Sequence, residues 1–202
     1  LNTTHAPLAA TAPPRQNDLF AMTELPVPPP PRRLFTALFP PPEACAAIDA
    51  ARQRWGGLPR RLHPAPERMH LTLQFFNRVD APHERAWLAA LASLRFAAFD
   101  ITLTHAEPWR VPSGTIAVLR PEPTPALNDL QQTTAQLARQ AGLPAEVAHF
   151  RPHLTALRRA EHTTLTPLAA PIAWRVEEVV LIWSDLQARP PRYHRLGRVV
   201  AD

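Results

Sequence analysis

The sequence predicts an α+β protein made of two similar halves. Two observations carry that prediction. First, His70-Leu71-Thr72-Leu73 and His153-Leu154-Thr155-Ala156 repeat one His-x-Thr-x pattern 83 residues apart, each inside a short apolar run suited to a buried strand. Second, each copy follows a segment whose apolar residues recur at helical spacing. The simplest assembly is pseudo-twofold, with both motif strands facing a shared groove.

The elements follow in order. Residues 1–31 read as a disordered or polyproline-like tail, with Pro13-Pro14 and then Pro26 and Pro28 to Pro31. One folded domain is expected over residues 32–202. Leu34 to Phe39 reads as a strand. Pro41-Pro42-Glu43 opens a helix, Cys45, Ile48 and Trp55 recur along it, and Gly56-Gly57 stops it. Met69 to Phe76 is the first motif strand. Asp80 caps a second helix with Trp87, Leu88, Leu91 and Leu94 as its buried stripe. Phe99, Ile101 and Leu103 alternate as a strand, and Thr115 to Leu119 form its hairpin partner. His105 to Gly114 reads as the loop between them. Thr124 caps a third helix that starts at Pro125, buries Leu127, Leu130, Leu137 and Ala141, and stops at Gly142. His153 to Leu157 is the second motif strand. Trp174 to Trp183 and Tyr193 to Val200 supply two more strands.

Composition narrows the chemistry. The formal net charge is +5, and all 22 basic residues are Arg, with no Lys. Arg binds phosphate through a planar fork, so an anionic ligand such as nucleic acid fits. The same Arg, Ala and Pro usage is what a G+C-rich genome produces, and under that reading the charge speaks only of solubility. The missing Lys excludes a Schiff base, an adenylyl-lysine ligase and a P-loop. Cys45 is the only thiol, which excludes an internal disulfide and a Cys-based metal site, and fits a cytoplasmic setting. No apolar run approaches the roughly 18 residues of a membrane span. The N-terminus lacks the basic-then-apolar order of a signal peptide.

In a strand, residues i and i+2 share a face, so each motif projects one imidazole and one hydroxyl to the same side. On this alternation His70, Thr72 and Gln74 share one face, and Met69, Leu71, Leu73 and Phe75 share the other. Imidazole titrates near neutrality, so two of them across a cleft can give and take a proton in one reaction. A Thr two residues on offers a hydroxyl to a phosphate oxygen. His149 and His153 have the spacing of a helical metal pair, but Pro152 breaks a helix there. Glu67 and His70 lack an evident third ligand, so neither metal nor cofactor is expected. His5, His63, His83, His105, His162 and His194 read as solvated surface. Arg158 follows the second motif but falls on the wrong face unless the strand ends or bulges. Arg151 is nearer and has a lesser parity problem.

The paired motifs resemble those of the 2H phosphoesterase superfamily. The wider pattern is similar to its RNA 2',3'-cyclic phosphodiesterase branch, the LigT-like proteins once called 2'-5' RNA ligases. The matching residues are Arg33-Leu34-Phe35-Thr36-Ala37, Met69 to Leu73, Pro152 to Arg158 and the closing Tyr193 stretch. The resemblance implies a bilobal fold of two antiparallel sheets flanked by helices around a central cleft. It implies metal-free cleavage of a 2',3'-cyclic phosphate to a 2'-phosphate, on RNA ends or cyclic nucleotides, by a monomer. It assigns His70 as general acid and His153 as general base, with Thr72, Thr155 and Arg158 on the phosphate. Ligation of a cyclic phosphate to a 5'-hydroxyl ranks as a side activity. Phe76-Asn77-Arg78 stands where the family often has Gly, and Ala156 where a larger aliphatic is common. A non-catalytic RNA-binding module with a basic groove is the alternative. Phe75, Trp109 and Tyr193 are the candidates to stack on a base.

Overall fold

A computed structural model describes residues 29–57, 63–145, 147–148 and 150–202. Most of the Pro-rich tail and His149 lie outside the described residues. The elements are β1 (Arg32–Leu38), α1 (Pro42–Gln53), β2 (Leu71–Val79), α2 (Ala81–Leu91), β3 (Phe99–Val111), β4 (Gly114–Pro121), α3 (Pro125–Gln140), β5 (Leu154–Arg158), β6 (Ile172–Val176), β7 (Glu178–Asp185) and β8 (Arg192–Val200). No helix among the described residues is long and apolar enough to cross a membrane.

The 83-residue offset extends beyond the motifs. α1 and α3 open at Pro42 and Pro125, and β2 and β5 open at Leu71 and Leu154. Each Pro sits where a helix has no internal use for an N–H. The units β1-α1-β2 and β4-α3-β5 are thus two copies of one antiparallel strand-helix-strand unit. The expected caps form: Asp80 Oδ1 accepts from His83 N at 3.0 Å, and Thr124 Oγ1 from Leu127 N at 3.2 Å. Gly142 ends α3 at φ +80°, a conformation that L side chains rarely adopt.

The strands form one antiparallel sheet in the order β6-β3-β4-β5-β2-β1-β7-β8. The two expected sheets are therefore joined, and the join is narrow. A single Cα pair, Leu71↔Leu154, links β2 to β5. The pairing order is mirrored about that junction. The helices cross it: α3 packs on β2, α1 against β6, and α2 against α3 and β8. The main core runs through both halves, with Leu34, Ile48, Leu71, Trp87, Leu119 and Leu154 all solvent-inaccessible. Burying each such side chain stabilises the fold by about 1.5–3 kcal/mol.

Two strand assignments change. Trp174 to Trp183 is two strands: β6 pairs with β3 and β7 with β1, in opposite halves. Only Glu177 separates them, a span of about 7 Å, so the sheet curls until its distant strands approach. A run of alternating apolar residues carries no mark of a change of partner. The segment His105 to Val111 is not a loop but the continuation of β3, paired residue by residue with β4. Pro108 is tolerated there because β6 covers β3 only from Phe99 to Leu103, which leaves an open edge beyond. The turn falls at Pro112-Ser113, where Gly114 takes φ +118° and a Cβ would strike Glu161.

Candidate active site

The Leu71↔Leu154 pair sets the geometry. Both leucines are fully buried, so the residues on either side of each point to the opposite face. In an antiparallel pair, a step forward on one strand is a step back on the other. His70 therefore stands in register with Thr155, and Thr72 with His153. Both histidines, both threonines and Arg158 line one cleft of about 1110 Å³.

The imidazoles are held alike. His70 Nδ1 lies 2.8 Å from the Arg68 carbonyl oxygen, and His153 Nδ1 lies 2.9 Å from that of Arg151. A carbonyl only accepts, so each Nδ1 donates and carries a proton. Nε2 is then the nitrogen left for other partners, a lone pair when the ring is neutral and a donor when it is charged. Their surroundings differ. His70 stacks on Phe35 at 4.8 Å, with Phe39 and Tyr193 at 5.6 and 5.7 Å. Burial among these rings pushes its pKa down to about 4, helped by the charges of Arg158, His153 and Arg68 and opposed by the Arg68 carbonyl. Burial also lowers the pKa of His153, aided by Arg120 and Arg151 and opposed by the Arg151 carbonyl. A phosphate anion bound between the rings would oppose these shifts, because an anion favours the charged form of both.

Both motif strands bulge at the last residue of the motif. Thr36 faces Gln74 and Ala37 faces Thr72, which leaves Leu73 of β2 without a ladder partner. Ala117 faces Leu157 and Val118 faces Thr155, which does the same for Ala156 of β5. Each bulge inverts the alternation that follows it. Arg158 thereby reaches the cleft. Gln74 and Phe75 exchange the faces expected of them. Gln74 is buried and donates to the Gln131 carbonyl at 2.9 Å and to Thr134 Oγ1 at 3.2 Å. Phe75 is 48% exposed and lines the cleft.

Trp109 forms a wall beside His153, with ring centroids 4.4 Å apart. Its Nε1 donates to Glu107 Oε1 at 2.5 Å, and that oxygen also accepts from Arg120 at 2.9 Å. These two donors hold the Glu107 carboxyl below its usual range. Arg151 lies 4.4 Å over the Trp109 ring and lines an adjoining recess of about 510 Å³ rather than the main cleft. Tyr193 lines the main cleft and carries Arg68 over its ring at 4.5 Å. His63, expected on the surface, also lines the cleft, and its sequence context gave no sign of it. Sequence reasoning also missed Arg33, Phe35 and Arg68 as lining residues. Among the described residues no three His, Cys, Asp or Glu side chains are grouped to hold a metal ion.

The family model described as the 2'-5' RNA ligase superfamily matches residues 40–188. The chain belongs to that superfamily. Among its relatives, the RNA 2',3'-cyclic phosphodiesterase of Escherichia coli K12 is 29% identical over 169 residues, spanning 83% of this chain and 96% of the relative. The structure of E. coli LigT complexed with 3'-AMP matches at TM-score 0.72 and 28% identity, covering 85% of this chain and 98% of that one. TT0787 of Thermus thermophilus matches at TM-score 0.59 and 25% identity, covering 83% of this chain and 97% of that one. The fold of this superfamily member is therefore that of the LigT-like 2H phosphoesterases.

Proposed function

We propose that the cleft hydrolyses 2',3'-cyclic phosphates on RNA ends or nucleotides to 2'-phosphates, without a metal ion. The observation that carries this reading is the cross-register of the motifs, which stands each imidazole opposite the other motif's hydroxyl. A phosphate between them meets one nitrogen from each side. Water attacks phosphorus and gives its proton to His153 Nε2. The bond from phosphorus to the 3' oxygen breaks, and His70 Nε2 protonates that oxygen. Thr72, Thr155 and Arg158 hold the non-bridging oxygens, with Arg158 supplying charge-assisted donors. The family membership and the cyclic phosphodiesterase relative support the same reaction class.

The reading takes residues 32–202 as one bilobal domain. With no Lys to carry a nucleotide, any ligation runs as the reverse transesterification, from a cyclic phosphate and a 5'-hydroxyl. The test is turnover of 2',3'-cyclic AMP by the purified chain in excess chelator. Hydrolysis at an undiminished rate is expected. Retained RNA binding with no hydrolysis of any cyclic phosphate would instead favour a binding module.

A further inference from the structure

Arg52 of α1 is 3% exposed and is the one buried charged side chain among the described residues. Removing a guanidinium from water is costly unless its donors are met; here both terminal nitrogens have acceptors, while Nε has no hydrogen-bond partner among the described residues. One terminal nitrogen donates to the Ala156 carbonyl at 2.9 Å and lies 3.3 Å from the Pro64 carbonyl oxygen. The other pairs with the Asp49 carboxylate. Ala156 is the residue that the β5 bulge leaves without a ladder partner. Its carbonyl, in a fully buried residue, needs a donor from outside the sheet. Pro64 lines the cleft.

We infer that Arg52 is a positioning residue: it clamps the Ala156 bulge to the cleft-lining Pro64 segment and so holds Arg158 toward the phosphate site. The first motif is held differently. There Gln74, one residue past its bulge, anchors to α3. The helix of each unit thus fixes the bulge of the other unit. Ala156 is small, and a small residue leaves the bulged backbone open to a side chain arriving from α1. A Lys at 52 would offer one point charge where the fork serves three acceptors.

This inference rests on the proposed phosphate site, so its test does not depend on turnover. The His70 titration is followed by NMR in the full chain, as wild type, R158A, R52M and R52M/R158A. Arg158, His153 and Arg68 are the charged groups acting on His70. R158A should raise the His70 midpoint by removing a cation. R52M should raise it in the same direction, and the double variant should add nothing to R158A. Loss of binding of inorganic phosphate should follow the same non-additive pattern. A merely structural Arg52 would lower thermal stability and leave the His70 midpoint in place. The inference is overturned by a wild-type midpoint in folded R52M, by additive shifts, or by an R158A midpoint that does not move. If R52M does not fold, R52Q keeps a donor without the charge, and a wild-type midpoint in R52Q overturns the inference equally. An absence of turnover in the wild type would sink the phosphodiesterase reading and leave this test intact.

Discussion

Leu71 and Leu154 form the one ladder pair that joins β2 to β5, and neither has any solvent exposure. That pair fixes what stands across the cleft from what. A slip of one residue would turn either motif's imidazole and hydroxyl into the core. Burying both leucines resists the slip. The register of the two motifs is thus held by the apolar residue inside each His-x-Thr motif, not by its polar ones.

His70→Ala and His153→Ala should each lower turnover by about 10² to 10⁴, the usual worth of a general acid or base. Both variants should fold, because each ring lies at the cleft and not in the main core. Steady-state kinetics with circular dichroism checks both statements. Wild-type rates in either variant would remove the two-histidine mechanism.

The pH dependence should be displaced toward acid. kcat/KM reports the free protein, in which His70 is pushed down to about 4 and His153 below its ordinary value. The active form needs one ring charged and one neutral, so the kcat/KM profile should be a bell with its optimum below about pH 6.5, the ordinary imidazole value. kcat reports the bound state, where the phosphate raises both rings, so its bell should lie at higher pH. The same depressed values affect folding. Between about pH 4 and 6.5 the unfolded chain binds a proton that the folded His70 site does not, so stability should fall as pH drops through that window. Chemical denaturation with and without inorganic phosphate measures this, and His70→Ala should flatten the slope.

Gln74→Ala should cost about 1–3 kcal/mol, since it removes this donor from the buried Gln131 carbonyl and opens a cavity beside α3. Asn77→Ala, at an exposed position on the same strand, should change stability by less than about 0.5 kcal/mol. Urea midpoints compare the two. Equal effects would mean that Gln74 does not anchor the first bulge.

Much of this was legible in the sequence, and the omissions share a cause. The repeated motif gave the two halves, and Asp80, Thr124 and Gly142 marked helix ends by local chemistry that needs no partner. Period-two alternation gave the faces of His70 and Thr72 correctly. It failed at Gln74 and Phe75, because a bulge is set by pairing with β1 and contains no Gly to betray it. The same reason explains Arg158, whose access required a bulge that the sequence could only make conditional. Pro108 hid the second half of β3, because an edge that tolerates Pro is known only once the sheet is ordered. Arg52 carries no local mark of its role. Its acceptor lies 104 residues away.

Trp109→Ala should weaken binding of 2',3'-cyclic AMP by about 1–3 kcal/mol if the indole carries the base. Inorganic phosphate has no base to stack, so its affinity should change little. Calorimetry with both ligands separates stacking from a general collapse of the His153 wall. Equal losses for the two would mean that Trp109 acts through His153. Phe75→Ala is the matched variant, exposed in the cleft, whereas Trp109 packs directly on an imidazole.

The regiochemistry tests the division of labour between the two histidines. In-line displacement needs the entering water and the departing oxygen on opposite sides of phosphorus. The cross-register places the two imidazoles on separate strands, so a phosphate bound between the motifs would meet one imidazole from each side. If His70 is the acid, the 3' oxygen departs beside it and the phosphate stays on the 2' oxygen. If the roles are exchanged, or the nucleotide lies the other way round, the product is a 3'-phosphate. Phosphorus NMR of the product from 2',3'-cyclic AMP distinguishes these outcomes, and the 2'-phosphate is expected. Burial favours the same assignment, since His153 is the less deeply buried of the two imidazoles, where water has the easier approach. A 3'-phosphate product would keep the cleft and both histidines as the working groups while exchanging their tasks.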